Sequence, residues 1–348
     1  MGSIIVTKRL SVIIPGYNTP DSWWERCVRS VLAALGPDDE VVCVDDGSAQ
    51  RPLALEALRN EDRRVRLVYL EQNAGLPSAR NAGLDSAEGR LVTFVDSDDE
   101  VRNEVYSRCI AALEKYDADV AVYGVNGVYV NDGFVAHDIP DDKYYGALSP
   151  EDVGYLVKRR LFYYSCNKVF RTSFLDANGF RFNPEGVPCE DAIFNVGLVV
   201  HKAKWVTVAY EGYVYYRYDG SLLSTYKPTY VEGTRACTKA WKDYKDSTPG
   251  AYEGLGKYGL ARYDETSEED IVRGQWTNIW RRRSPHGLKA RWMYAREHGD
   301  VLGRCTAAVF LRKAMLMWLR ANCYWRPVRV WHEKRFLRRI GAKVEDVG

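Results

Sequence analysis

The 348 residues are 46% hydrophobic and 28% charged, which excludes a disordered chain and fits one large domain or two ordinary ones. No stretch approaches the ~20 consecutive apolar residues of a membrane span and no apolar leader opens the chain, so a cytoplasmic protein is expected. The net charge is only +2, yet residues 271–348 hold 18 Lys and Arg against 5 Asp and Glu, while residues 1–270 hold 31 against 42; the tail is therefore expected to face something anionic.

Taken in chain order, LSVIIPGYN (10–18) is an apolar run broken by Pro-Gly, the pattern of a central parallel strand ending in a loop. Residues 21–35 place Trp24, Cys27, Val28, Val31 and Leu35 at helical spacing. EVVCVDDGS (40–48) predicts a second buried strand, residues 52–60 a helix and VRLVYLEQN (65–73) a third strand. PSARNAGLDSA (77–87) predicts a helix opened by Pro and Ser. RLVTFVDSDD (90–99) predicts a strand that ends in carboxylates, followed by a helix over 103–115 and a strand over 118–125. Apolar strands alternating with helices predict an α/β fold with an open, mostly parallel, Rossmann-like sheet flanked by helices. Such sheets bind ligands beyond the carboxyl ends of their strands, where Pro15–Asn18, Asp45–Ser48 and Asp96–Asp99 would converge. Residues 126–230 are rich in Tyr, Gly and Asp with shorter strand-like pieces, and helical patterns dominate from about 231.

Asp96 and Asp98 flank one serine at a strand end. Two such carboxylates can share a hard cation, Mn²⁺ or Mg²⁺, whose open positions suit phosphate oxygens. The same residues would also serve as a solvated loop capping the next helix. Asp45 and Asp46 fit turn chemistry before Gly47 as well as ligand contact. Arg80 has a fork suited to phosphate oxygens, and it also reads as a surface helix arginine. Glu190 and Asp191 precede an apolar helical run, a place that acids favour in any helix. The eight cysteines include no Cys-x-x-Cys pair, and several sit within apolar runs, as expected of thiols in a reducing compartment. There is no dinucleotide-binding or P-loop glycine motif.

SVIIPGYN, VDDGS, NAGLPSARNAGL and VDSDD, in that order and each near a strand end, resemble the family 2 glycosyltransferases with their GT-A fold. The resemblance is strong over about 9–125 and looser over 160–225. It implies a catalytic domain over 1–230, with a nucleotide-sugar half to about 125 and an acceptor half from 126; helical patterns and composition place a helical, basic and aromatic region over 231–348. By the same resemblance Pro15, Tyr17 and Asn18 line the nucleotide pocket, and Asp45 and Asp46 flank the base, Asp46 accepting the uracil N3–H. Asn73, Gly75, Arg80 and Asn81 border base and diphosphate. Asp96 and Ser97 lie by the ribose, with Asp96 and Asp98 on the metal, while Asp99 and Glu100 serve the next helix. Asp191 matches the base of inverting members, with Glu190 orienting it or touching the acceptor. Asn167 and Lys168 border the acceptor or pack, and Arg217 helps cover the diphosphate. A metal-binding histidine that some members carry near Arg217 is absent here.

The function so implied is transfer of a sugar from a UDP-sugar to a hydroxyl of a glycan acceptor for a surface polysaccharide. The alternatives are a non-catalytic nucleotide-sugar-binding subunit, whose mark would be a lost Asp98 or Asp191, and an aspartyl phosphotransferase or hydrolase, which lacks its usual Thr after the second Asp. In the tail, Phe310, Ala314, Met317, Trp318 and Ala321 share one helical side, with Arg312, Lys313 and Arg320 off it. That pattern fits a helix on an anionic membrane, at the inner face of the cell membrane if the acceptor is lipid-linked, and it fits a packed subdomain equally. No nucleic-acid module accompanies the charge.

Overall fold

The computed structural model describes residues 8–186, 189–218, 226–250, 268–279, 286–298, 326–339 and 341–347. Four parallel strands form the first half of the sheet: β1 (Lys8–Gly16), β2 (Glu40–Asp45), β3 (Val65–Tyr69) and β4 (Gly89–Phe94), in the spatial order β4-β1-β2-β3. Residues 10–15 of β1 and all of β2 are buried, which explains why both read as continuous apolar runs rather than alternating ones. Between the strands run α1 (Asp21–Ala34), α2 (Leu53–Glu61) and α3 (Leu76–Ser86). In α1 the stripe Trp24, Cys27, Val28 and Val31 is buried, so the predicted spacing is the packed face. These elements share one hydrophobic core.

The second half is mixed. After the two-residue strand β5 (Glu100–Val101), α4 (Val105–Lys115) leads to β6 (Val120–Tyr129), which forms an antiparallel hairpin with β7 (Phe134–Asp138). Short β8 (Gly146–Ala147) and α5 (Val153–Lys158) precede β9 (Lys168–Arg171), which is antiparallel to both β4 and β6 and so joins the two halves. Helices α6 (Thr172–Ala177) and α7 (Glu190–Val200) lead to β10, a 13-residue strand over Trp205–Arg217 that is parallel to β6 and antiparallel to β5 and β8.

After residue 230 the described residues form helices α8 (Tyr230–Ser247), α9 (Glu268–Ile279), α10 (Leu288–Glu297) and α11 (Arg326–Arg339). Lys343–Asp346 is not helical: it forms β11, which pairs with β7 and extends the central sheet. Leu337 and Ala342 pack there with Tyr129, Phe134 and Ala136. The amphipathic stripe expected around Phe310–Ala321 lies outside the described residues. Among the described residues no helix is long and apolar enough to cross a membrane.

Candidate active site

Hydrogen bonds tie the three polar strand ends together. The Asn18 N–H donates to Ser48 Oγ at 2.8 Å, the Ala49 N–H donates to Asn18 Oδ1 at 3.2 Å, and the Thr19 and Ser97 hydroxyls lie 2.9 Å apart. Tyr17, Asn18 and Asn73 are exposed at this rim, with Asn73 Oδ1 accepting from the Gly75 N–H. Pro15 is not at the rim. It is buried within β1 opposite Val44, because the strand runs one residue past it.

Asp45 and Asp46 are both buried and both engaged. Ser48 Oγ donates to Asp45 Oδ1, while the N–H groups of Ala74 and Gly75 donate to the two oxygens of Asp46 at 2.8 and 2.9 Å. Burial raises the Asp46 pKa against those two bonds. Asp46 therefore anchors the end of β2 to the loop before α3, while Asp45 closes the turn onto Ser48, the turn role the sequence left open. Gly47 sits between that loop and the turn at φ +67°, where a Cβ would lie 2.3 Å from the Gln72 carbonyl carbon.

Arg80, in the first half of α3, is 1% exposed. It is neither a surface arginine nor turned toward open solvent. Its guanidinium donates to Asp191 Oδ1 at 2.5 Å and to Asp96 Oδ1 at 3.0 Å, and it stacks on Phe182 with 5.1 Å to the ring centroid. Burial opposes its charge and the two carboxylates more than offset that, so its pKa is raised. Asn81 exchanges two hydrogen bonds with the backbone of Phe182 and so fixes that ring rather than facing a ligand. Phe182 in turn stacks on Phe194 of α7 at 4.2 Å.

Asp191 and Glu190 open α7, with Asp191 a quarter exposed. Glu190 Oε2 is buried with no hydrogen-bond partner among the described residues. Burial, then the neighbouring Asp191 charge, push the Glu190 carboxyl up to about 7.

The 96–99 turn closes with the Asp99 N–H donating to the Asp96 carbonyl at 3.0 Å. Its side chains divide by environment. Asp98 is partly exposed, and burial together with the Asp96 charge pushes it up to about 6. Asp99 is fully buried, accepting from Tyr213 Oη at 2.7 Å and from the Tyr216 N–H at 2.8 Å. The same Tyr213 hydroxyl accepts the Asp96 N–H at 3.1 Å. Glu100 pairs with Arg26 at 3.0 Å. Asp99 and Glu100 thus bind the turn to β10 and α1 and do not serve the helix that follows, since α4 starts only at Val105. Arg26 also donates to the Asp98 carbonyl and lies over the Tyr216 ring at 4.3 Å.

Two further expectations meet different surroundings. Asn167 and Lys168 have no exposed surface. The Lys168 ammonium donates to the carbonyls of Leu161, Phe162 and Tyr164, and Asn167 Nδ2 donates to those of Tyr123 and Leu161, so both pack under the 161–164 turn. Arg217 pairs with Glu333 of α11 at 2.6 Å and lies over the Tyr129 ring; β10 directs it to the C-terminal region. Tyr213, Arg26 and Phe182 went unassigned in the sequence. Only Tyr213 carried a signal, as part of one of the Tyr-rich, strand-like pieces within 126–230.

Residues 11–179 match the model for glycosyl transferase family 2. The chain carries a family 2 glycosyltransferase domain. Among similar proteins, the glycosyltransferase GlyA of Streptococcus pneumoniae is 33% identical over 144 residues, covering 41% of this chain and 20% of that one. The uncharacterized glycosyltransferase YibD of Escherichia coli is 28% identical over 255 residues, 69% of this chain and 73% of that one. TarS of Staphylococcus aureus, a poly(ribitol-phosphate) β-N-acetylglucosaminyltransferase, is 29% identical over 217 residues, 60% of this chain and 35% of that one. A crystal structure of TarS 1–349 in complex with UDP-GlcNAc superposes with a TM-score of 0.60 at 20% identity, covering 94% of this chain and 92% of that one. The chain therefore has the GT-A fold that the resemblance of its motifs implied, and it spans a fifth to three quarters of the length of these curated relatives.

Proposed function

We propose that the transferase moves a sugar from a UDP-sugar to a hydroxyl of a cell-surface glycan precursor, with inversion at the anomeric carbon and Asp191 as the base. One observation carries this reading. The buried Arg80 guanidinium joins Asp96, at the end of β4, to Asp191, at the start of α7, so the strand-end carboxylate and the proposed base stand within one side chain's span. The UDP-GlcNAc complex of TarS, on the same fold, supports the donor class.

In this reading the acceptor oxygen attacks C1 of the donor sugar and the bond to the diphosphate breaks, its electron pair leaving with UDP. The departing proton goes to Asp191, whose carboxylate Arg80 holds in place. Glu190, whose carboxyl burial pushes up to about 7, offers its unpartnered oxygen to a sugar hydroxyl. Tyr17, Asn18 and Asn73 border the nucleotide. Asp96 and Asp98 suit a divalent cation by donor type, as hard oxygen ligands, and burial and then the Asp96 charge push Asp98 up to about 6 against a partial offset from Arg26. Among the described residues no three His, Cys, Asp or Glu side chains form a closed cage. Mn²⁺ or Mg²⁺ there would supply the positive charge that a leaving diphosphate requires.

Two variants test the division of roles. Asp191→Asn keeps UDP affinity and lowers kcat by about 10³-fold, whereas Asp98→Ala abolishes Mn²⁺-dependent UDP binding by calorimetry. Normal turnover of the first, or unchanged binding by the second, rejects the corresponding assignment. We further propose that the basic, aromatic tail rests on an anionic membrane beside a lipid-linked acceptor, a reading supported by its charge.

A further inference from the structure

Cys189 caps the N-terminus of α7, one residue before Glu190, and its carbonyl accepts the Ile193 N–H at 2.9 Å. Cys237 lies on α8, which packs along α7 and on the turn at Pro184–Gly186. Their thiols hydrogen-bond each other, and the Cys237 sulfur also accepts from the Trp241 side chain one turn on. Both cysteines are partly exposed, whereas Cys27, Cys43, Cys109 and Cys166 are buried. The hydrogen bond from Cys189 lowers the Cys237 pKa and raises that of Cys189, so Cys237 is the better nucleophile of the two.

We propose that Cys189 and Cys237 are a reversible oxidation site, closing to a disulfide that ties the start of α7, with Glu190 and Asp191, to α8. The oxidant is a peroxide. The Cys237 thiolate attacks one peroxide oxygen, the O–O bond breaks, and hydroxide leaves, giving a sulfenic acid. The Cys189 sulfur then displaces the hydroxyl and a water is released. Two thiols lose two electrons and two protons in all, and one hydrogen peroxide becomes two waters. A reductant thiol reverses the bond by exchange. Such a pair is compatible with a reducing compartment, where disulfides are transient and sensing rather than structural. The effect on transfer rests on the base proposed above; the chemistry of the pair does not.

The test treats the intact protein with hydrogen peroxide, blocks free thiols, digests with trypsin and maps linkages without reduction. The expected product joins peptides 182–202 and 236–239, is lost on adding dithiothreitol, and is absent from Cys237→Ser. Hydrogen exchange at the amides of residues 190–193 slows in the oxidised protein. Transfer activity falls on oxidation, returns with dithiothreitol, and is insensitive to peroxide in Cys237→Ser. Sulfonates, adducts or other pairings without this linkage overturn the proposal, and a linkage that leaves exchange unchanged overturns the restraint on α7. Mapping and exchange use neither donor nor acceptor, so their failure is distinct from failure of Asp191 as base.

Discussion

Arg80 shows most clearly how one residue organises this site. A buried cation between two carboxylates is favourable only while both partners remain, and removing one member of such a set typically destabilises by about 3–5 kcal/mol. Arg80→Met should therefore lower unfolding free energy by about that amount in a urea titration. Arg80→Lys keeps the charge but cannot span both acceptors, so kcat/KM should fall roughly 10²-fold. Glu190 gives a pH signature. Its carboxyl titrates at about 7 in the folded chain, against an ordinary 4.5. Between those values the folded state binds more protons than the unfolded state, so stability declines as pH rises through that window. Glu190→Gln removes the decline: relative to wild type it should gain about 1–3 kcal/mol at pH 8 and nothing at pH 4, read from melting curves across pH. The Glu-Asp pair was visible in the sequence by its place before an apolar helix. That Arg80 would choose Asp191, 111 residues away, was not, because a helix arginine carries no mark of its partner.

At the scale of elements, the parallel strands β1 to β4 were legible at their starts within two residues, while the expected ends overran by two to five into the polar loops; burial on both faces writes β1 and β2 as apolar runs. The long β10 was read only in part. Its Tyr-rich stretch meets solvent, Asp99 and β6 at different points, so no single period marks it. Its function is nonetheless local: Tyr213 reaches from β10 to hold both ends of the 96–99 turn. Tyr213→Phe would leave one oxygen of the buried Asp99 and the Asp96 N–H short of a partner. We expect a loss of about 1–3 kcal/mol in stability, together with weaker Mn²⁺-dependent UDP binding by calorimetry. Unaltered metal-dependent binding would show that the turn holds its shape without the tyrosine.

At the scale of the whole molecule, β11 returns the chain to its central sheet. β11 takes its strand form from pairing with β7 rather than from its sequence, since Lys-Val-Glu-Asp has a single apolar residue, and this is why it read as part of a helical tail. Glu333 reaches from α11 to Arg217 in the same region. Truncating the C-terminal region to test membrane contact would therefore uncover Phe134 and the β7 edge as well as remove charge. The triple charge reversal Arg312→Glu, Lys313→Glu and Arg320→Glu avoids this. It should release the full chain from anionic liposomes in a sedimentation assay while the melting temperature stays unchanged. Equal retention of variant and wild type would assign that charge to packing.

The guanidinium bridge also constrains how an inactive form for substrate trapping should be built. Replacing Asp191 with Ala deletes an acceptor from a sealed arginine and invites local collapse around Phe182. Replacing it with Asn keeps a carbonyl oxygen at the same reach, so the quiet variant is also the better-folded one for capturing a donor complex.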